Sequence, residues 1–313
     1  MVHSGGKPML ARIAVLYVEE QLLGFQKRFC DGGYVLYQWL ERTAPDGYFD
    51  LMDLDPFRIV DGEYPEEVDE YTAIIVSGPA HGDFVKAEWI PKLVQFVRDV
   101  AEDHPGVKLI GLGLGHNIFA AAFGQNAEPR GWELGPYSVT LTEVGRSVFG
   151  RDSMVLQMIH QDHAFLPDLT ERLRAIGGHP STKSAPFHTW GYTANAPVQG
   201  LFRFSENYNP GSFCSPDELY ANLRVVTCLA RPGHSGEMMT QMIGELAGCN
   251  AVPGEALDEA GERWERGKDH DDDLDCVHSV WFGETIWAVM LTDRLVRKVR
   301  VDWEPGQQRV YVI

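Results

Sequence analysis

The stretch that decides the fold is KLIGLGLGHNIFAAAFG, which runs from Lys108 to Gly124. Its first residues, Lys108 to Leu112, form a short apolar run that is typical of a buried strand. Asn117 to Phe123 are apolar and alanine-rich, and a glycine follows them, as at the end of a helix. A strand that turns sharply through Gly-x-Gly into a helix has the geometry of a nucleophile elbow, here with Gly113 at the tip.

The residues before this stretch alternate short apolar runs with longer amphipathic segments. Such alternation predicts a parallel sheet covered by helices. Three strands are predicted, at Arg12 to Tyr17, Phe49 to Leu54 and Ala73 to Val76. Two helices are also predicted: Tyr34 to Arg42, between the first two strands, and Trp89 to Val100, between the third strand and the elbow.

The residues after the elbow predict more strands, separated by Gly, Pro and Asn. These runs extend the sheet and add antiparallel pieces to it. The predicted strands are Tyr137 to Leu141, Val155 to Ile159, Val198 to Phe204 and Val225 to Ala230, with a helix at Ser235 to Leu246. We therefore predict an α/β fold with a central, mostly parallel sheet and flanking helices.

Composition excludes several classes of protein. The 313 residues carry a formal charge of −18, which would repel nucleic acid and anionic membranes. No apolar run approaches the roughly 20 residues that span a bilayer, and the N-terminus does not resemble a signal peptide. The five cysteines form no CxxC pair, and no spacing indicates a metal site. We expect a cytoplasmic protein that acts on a small molecule and needs no cofactor or metal.

Several boxes, in order along the chain, resemble class I glutamine amidotransferases. The stretch at the elbow resembles the family's G-[VI]-C-x-G-H-Q box, and PGHSGEM, from Pro232 to Met238, resembles its Q-G-H-P-E-F box. IIVSG, from Ile74 to Gly78, resembles the family's strand and glycine loop, and HQDH, from His160 to His163, resembles its H-x-D box. GWELG, from Gly131 to Gly135, resembles a segment of the family's solitary, single-domain branch. The resemblance spans residues 12 to 246 and implies a flavodoxin-like α/β fold.

The resemblance breaks down where the family's chemistry lies. The family's cysteine attacks glutamine as a thiolate that a histidine activates, and Gly113 stands in its place. The resemblance therefore implies a site that cannot form the thioester. The H-P-E spacing is one residue longer here, from His234 to Glu237. A competing alignment puts Phe204-Ser205-Glu206 in that box, but we prefer His234 because a predicted strand precedes it and a helix follows it.

Glycine tolerates the backbone of an elbow tip, so the turn survives without the thiol. The resemblance implies that His234 and Glu237 form an acid–base pair, with His160 as a further catalytic candidate. Backbone amides of the glycine loop and of Leu114 would then stabilise an enolate or alkoxide. The substrate-binding residues that we expect are Gly78, Ala80, Gly113, Leu114, His116, Trp132 and Asp162.

Structural alternatives stay open for several of these residues. His116, His160 and Asp162 are also consistent with a buried polar network, and Trp132 with plain packing. Cys228 precedes the His234 loop, but we interpret it as a small buried hydrophobe rather than a substitute nucleophile.

Two functions follow from this pattern. The first is a glutaminase-dead protein repurposed as an acid–base enzyme, which isomerises, cyclises, eliminates or condenses a small carbonyl metabolite, for example in specialised-metabolite biosynthesis. The second is a non-catalytic pseudoenzyme that binds a metabolite or a partner protein. A conventional amidotransferase with an unorthodox nucleophile is the weakest alternative.

We divide the chain into an amidotransferase-like domain at residues 10–249 and a C-terminal extension at 250–313. The extension begins with an acidic linker or exposed helix and ends in a predicted hairpin. Between them, GETIWAVML from Gly283 to Leu291 is apolar enough to dock on the domain. The extension either packs as a plain appendage, covers the mouth of the pocket or joins two subunits in a homodimer.

Overall fold

The computed structural model describes residues 11–18, 22–79, 87–123, 131–161, 187–206, 208–210, 215–267, 277–295, 299–304 and 307–312. Within these residues one sheet has nine strands in the order β2-β1-β3-β4-β9-β8-β7-β5-β6. In chain order the strands are Ala11–Tyr17 (β1), Met52–Arg58 (β2), Ala73–Gly78 (β3), Lys108–Gly113 (β4), Trp132–Leu141 (β5), Ser153–Gln161 (β6), Phe187–Tyr192 (β7), Gly200–Phe204 (β8) and Leu223–Cys228 (β9).

The sheet has a parallel half and an antiparallel half. Strands β2, β1, β3, β4 and β9 pair in parallel, whereas β8, β7, β5 and β6 continue the sheet with antiparallel pairings. The predicted α/β fold class is confirmed. The antiparallel pieces that the turn residues predicted all lie on one side of β9.

Helices cover both faces of this sheet. In chain order they are Leu23–Phe29 (α1), Gly32–Thr43 (α2), Trp89–Asp103 (α3), Leu114–Ala122 (α4), Glu143–Phe149 (α5), Pro216–Asn222 (α6), Gly236–Gly248 (α7), Gly254–Gly267 (α8) and Val277–Leu295 (α9). Successive residues of a strand point to opposite faces of the sheet, so they pack in the two cores on either side of it. Ile13 and Val15 pack in the core beneath α2 and α9, whereas Ala14 and Leu16 pack in the core beneath α3 and α4.

The prediction for the second strand was wrong in its position. Residues Phe49–Leu51 form a short 3-10 helix, and the strand begins only at Met52. The alternation in FDLMDL comes partly from that turn, so its period of two did not mark a strand throughout. Strand β7 was not predicted at all, because its sequence, FHTWGY, has no simple alternation.

The C-terminal helix α9 packs into the main core. Phe282, Ile286 and Trp287 are fully buried beside strand residues. The indole of Trp287 donates to the Leu40 carbonyl at 3.0 Å, and the indole of Trp39 donates to the Ser279 carbonyl at 3.1 Å. Helix α9 is therefore tied to α2 at both indole groups.

A predicted hairpin follows α9, and its strands are observed. Strands Val299–Glu304 (β10) and Gln307–Val312 (β11) form a separate antiparallel pair. The expected turn residues, Pro305 and Gly306, lie outside the described residues, as does the acidic run Asp271 to Asp273.

Among the helices described here by their ranges, none is both long enough and apolar enough to cross a membrane.

Candidate functional site

The turn from β4 into α4 has the predicted elbow geometry. Gly113 directly precedes α4 with φ 56° and ψ −113°, a conformation that L side chains rarely adopt. Gly113 pairs in the sheet with Gly78 at the end of β3. The two glycine loops that the sequence singled out therefore meet on adjacent strands.

The other glycines of the elbow bring α4 close to the sheet. A Cβ on Gly115 would lie 2.1 Å from the carbonyl oxygen of Val76, and one on Gly111 would lie 2.8 Å from the backbone of Gly115. Both positions therefore need glycine if nothing is to move. The close approach sets the first N–H groups of α4 over the carboxyl end of β4, where a helix N-terminus stabilises an anion.

A small cavity opens beside the elbow tip. Its volume is about 20 Å³, and it opens to solvent. Gly78, Gly113 and His234 all line it, so three of the predicted site residues converge there. The remaining wall consists of Tyr17, Val18, Gly32, Gly33, Leu36, Ser77, Pro79, Leu112, Ala230, Arg231 and Pro232.

His234 is held by a tight loop between β9 and α7. Its ring is buried and stacks on Phe25, with centroids 6.0 Å apart and an angle of 17° between the planes. The preceding Gly233 has φ 88° and donates its N–H to Ser279 Oγ of α9 at 2.7 Å. The backbone N–H of Arg231 donates to the Gln157 carbonyl of β6 at 2.8 Å. The loop is therefore fixed from both α9 and the sheet.

Glu237 does not lie where the resemblance implied. Its carboxylate forms an ion pair with Arg28 of α1, and its side chain is 60% exposed. The residue added to the H-P-E spacing explains this placement. Ser235 caps α7 by accepting from the Met238 N–H at 3.3 Å, which puts Glu237 in the exposed first turn, facing α1.

The competing alignment, which puts Phe204-Ser205-Glu206 in the H-P-E box, does not agree with the structure. Ser205 and Glu206 line a different cavity, at the edge of the sheet where β4 and β9 begin. The elbow lies at the other end of β4. His234 lines the cavity beside Gly113, so the preferred alignment agrees with the geometry.

His116 is buried in the first turn of α4 and does not line the elbow cavity. Its Nδ1 lies 2.8 Å from Thr227 Oγ1 of β9, and that oxygen also accepts the Leu201 N–H at 2.9 Å. Burial, with a smaller contribution from the nearby charge of His160, lowers the pKa of His116 to about 3. The ring is therefore neutral at physiological pH and joins α4 to the sheet.

His160 has a carboxylate beside it, although not the predicted one. Its Nε2 lies 3.2 Å from Glu133 Oε2, and both side chains are essentially inaccessible to solvent. The same carboxylate accepts bonds from Thr193 Oγ1 and Gln199 Nε2, both at 2.5 Å. These residues form a buried polar network across β5, β6 and the loop between β7 and β8.

Sequence reasoning missed Glu133 as a functional candidate. It is the glutamate of GWELG, and it was quoted only as part of a motif. Burial alone would raise the pKa of its carboxyl group, but contacts from His160, Thr193 and Gln199 outweigh burial and hold the pKa below its usual value. The available signal was an acid between two apolar residues, Trp132 and Leu134, because an acid that such neighbours bury needs polar partners.

The other predicted site residues either pack in the protein interior or lie outside the described part of the chain. Leu114 is buried at the start of α4, and Trp132 packs on the core beneath α7. Ala80 and Asp162 lie outside the described residues. Cys228 is fully buried, and burial raises the pKa of its thiol to about 12, so it does not supply a thiolate.

In the described segments, no group of three or more His, Cys, Asp or Glu side chains is arranged to hold a metal ion.

The elbow at the carboxyl end of a central parallel strand defines the class: an α/β protein whose elbow leads directly into a helix N-terminus. A glutamine amidotransferase-like protein of Schizosaccharomyces pombe is 30% identical over 215 residues, which cover 67% of this chain and 72% of that protein. The chain belongs to the glutamine amidotransferase-like family.

Two further proteins are similar to this chain, one in sequence and one in fold. γ-Glutamyl peptidase 3 of Arabidopsis thaliana is 32% identical over 44% of this chain and 61% of its own length. The crystal structure of a glutamine amidotransferase from Methylobacillus flagellatus covers 96% of this chain and all of its own, with a TM-score of 0.50 and 11% identity; it supports the fold alone. No protein-family model matches the chain.

Proposed function

We propose that this chain is a glutaminase-inactive member of its family that uses His234 as an acid–base group on a small carbonyl compound. The observation that carries the proposal is the shared cavity of His234 and Gly113. An imidazole there faces a position where the resemblance places the family's nucleophile. Because Gly113 has no side chain, His234 has no nucleophile to activate. The chemistry that remains for its imidazole is proton transfer to or from a bound molecule.

The surrounding backbone supports the same proposal. Helix α4 begins directly after Gly113, which lines the cavity, so its first N–H groups can stabilise the negative charge that develops on a carbonyl oxygen during enolisation. Cys30 and Cys249 are exposed and Cys228 is buried, and none of these three lines the elbow cavity. No thiol in the described segments therefore competes with the proton-transfer reaction.

Glutamate release tests the proposed lack of glutaminase activity. We expect the wild-type chain to release no glutamate from glutamine or from a γ-glutamyl dipeptide above the rate of a heat-denatured sample. The matched variant is Gly113→Cys, which we expect to release glutamate because it puts a thiol beside His234. The positive φ at this position should cost that variant about 1–3 kcal/mol of stability. Release by the wild type would contradict the proposal, and a folded but silent Gly113→Cys would contradict the role of His234.

Exchange of α-protons tests His234 directly. In D₂O, followed by proton NMR, the wild-type chain should exchange the α-protons of at least one member of a panel of small carbonyl metabolites. We expect His234→Gln to slow that exchange by about 100-fold or more, the usual contribution of a general acid or base. His104→Gln is the matched control, since that ring pairs with Asp69 at the surface. Equal rates in the wild type and His234→Gln would sink the proposed role.

A second function, binding without turnover, is favoured by one observation. Glu237 is committed to Arg28 rather than to His234, so the carboxylate that the resemblance implied does not orient the imidazole. A compound that saturates the protein, yet is neither consumed nor exchanged in D₂O, would establish this second function in place of the first.

A further inference from the structure

A second and larger cavity lies at the opposite edge of the sheet from the elbow. Its volume is about 340 Å³, within the range of small-molecule sites. It is bounded by the end of α3, the start of β4 and β9, and the end of β8. Leu109 in its wall and Gly113 at the elbow are four residues apart on β4, which is about 13 Å along a strand. The two cavities are therefore separate.

A buried cation forms the floor of this cavity. Arg203 of β8 lines it and is only 6% exposed. Its guanidinium carbon lies 5.3 Å from the ring centre of Phe123 and 5.9 Å from that of Phe187. Within the described part of the chain, no side chain or carbonyl accepts a hydrogen bond from this guanidinium. Its planar set of donors suits a carboxylate.

The rim of the cavity is mostly acidic, and the second arginine in its wall, Arg224, donates to the Val107 carbonyl at 2.9 Å. Glu102 and Asp103 at the end of α3, and Glu206 after β8, are exposed and line the opening. Burial lowers the pKa of Arg203, and the charges of Glu102 and Glu206 offset only part of that effect. The rim acids are exposed, whereas Arg203 is buried in the cavity wall, so an anion that enters the cavity can contact the guanidinium.

We propose that this cavity binds a zwitterion of amino-acid or dipeptide size, with its carboxylate on Arg203 and its ammonium group among the rim acids. A ligand with only negative charge has to pass three carboxylates at the opening, and one with only positive charge leaves Arg203 unmatched. The arrangement therefore selects a molecule with both charges. The proposal does not depend on the function proposed for the elbow site.

Calorimetric titration of the full-length protein tests this proposal with three related probes. Glycylglycine carries both charges, N-acetylglycylglycine only the negative one and glycylglycinamide only the positive one. We expect glycylglycine to bind at least about 10-fold more tightly than either analogue, because each loses one charge-assisted contact. Arg203→Met should weaken the binding of glycylglycine by about 10-fold or more.

Variants of the rim keep the test independent of any folding defect in Arg203→Met. Glu102 and Glu206 are exposed, so the double change to Gln should leave the fold intact. It should weaken the binding of glycylglycine and strengthen that of N-acetylglycylglycine, whereas the matched surface change Glu255→Gln should alter neither. No heat of binding with glycylglycine, or the same affinity in the wild type and the double variant, would overturn the proposal.

Discussion

Lowering the pH from about 7 to about 4 should reduce the free energy of unfolding by about 3 kcal/mol through His116 alone. Burial holds the pKa of this ring at about 3 in the folded protein, against an ordinary value of 6.5. Between these values the unfolded chain binds a proton that the folded chain does not, so stability falls as the pH falls. The loss begins near the upper value and is nearly complete at the lower one.

Urea unfolding at a series of pH values, in the wild type and in His116→Gln, measures this loss. Glutamine does not titrate and keeps a polar group near Thr227, so the variant should lose less stability on acidification by about the same 3 kcal/mol. Parallel pH profiles for the two proteins would show that His116 takes up its proton without unfolding, contrary to its buried position.

Glu133→Ala should destabilise the protein by about 3–5 kcal/mol, because it leaves the buried donors that bond to this carboxylate without an acceptor. The change leaves His160 without its carboxylate and removes the acceptor of the bonds from Thr193 and Gln199. Chemical unfolding at neutral pH gives the magnitude directly.

Glu237→Ala is the matched control for that experiment. The ion pair of Glu237 with Arg28 is more than half exposed, and such pairs contribute about 0–1 kcal/mol. We expect the two alanine variants to differ by at least about 2 kcal/mol. Similar losses would mean that the buried network contributes no more than a surface pair does.

The fold could be predicted because its signals are local. The elbow is written in consecutive residues, with glycines at 111, 113 and 115 between a strand and a helix, and the structure has the corresponding turn. The ends of the strands were harder to predict, because a local pattern does not always distinguish a strand from a turn. Phe49–Leu51 form a 3-10 turn whose residues alternate as those of a strand do. The difference between the two depends on tertiary contacts.

The site could be predicted only in part because side-chain partners are chosen over long distances. His234 and Gly113 are 121 positions apart in the chain, and the resemblance placed them in one site. The partner of Glu237, by contrast, comes from α1, and that of His160 comes from β5. Neither contact leaves a pattern in the sequence, since each depends on which helix or strand lies opposite in the folded protein.

The bond from Gly233 to Ser279 has a consequence for how this chain can be shortened. Helix α9 both contacts the loop that holds His234 and fills the main core with Phe282, Ile286, Trp287 and Met290. Each such side chain stabilises the fold by about 1.5–3 kcal/mol, and four together rival the whole margin of about 5–15 kcal/mol by which a domain stays folded. A protein that ends at Asn250 lacks helix α9, so we expect it to unfold. Truncation at this point therefore cannot test whether the C-terminal extension covers the pocket.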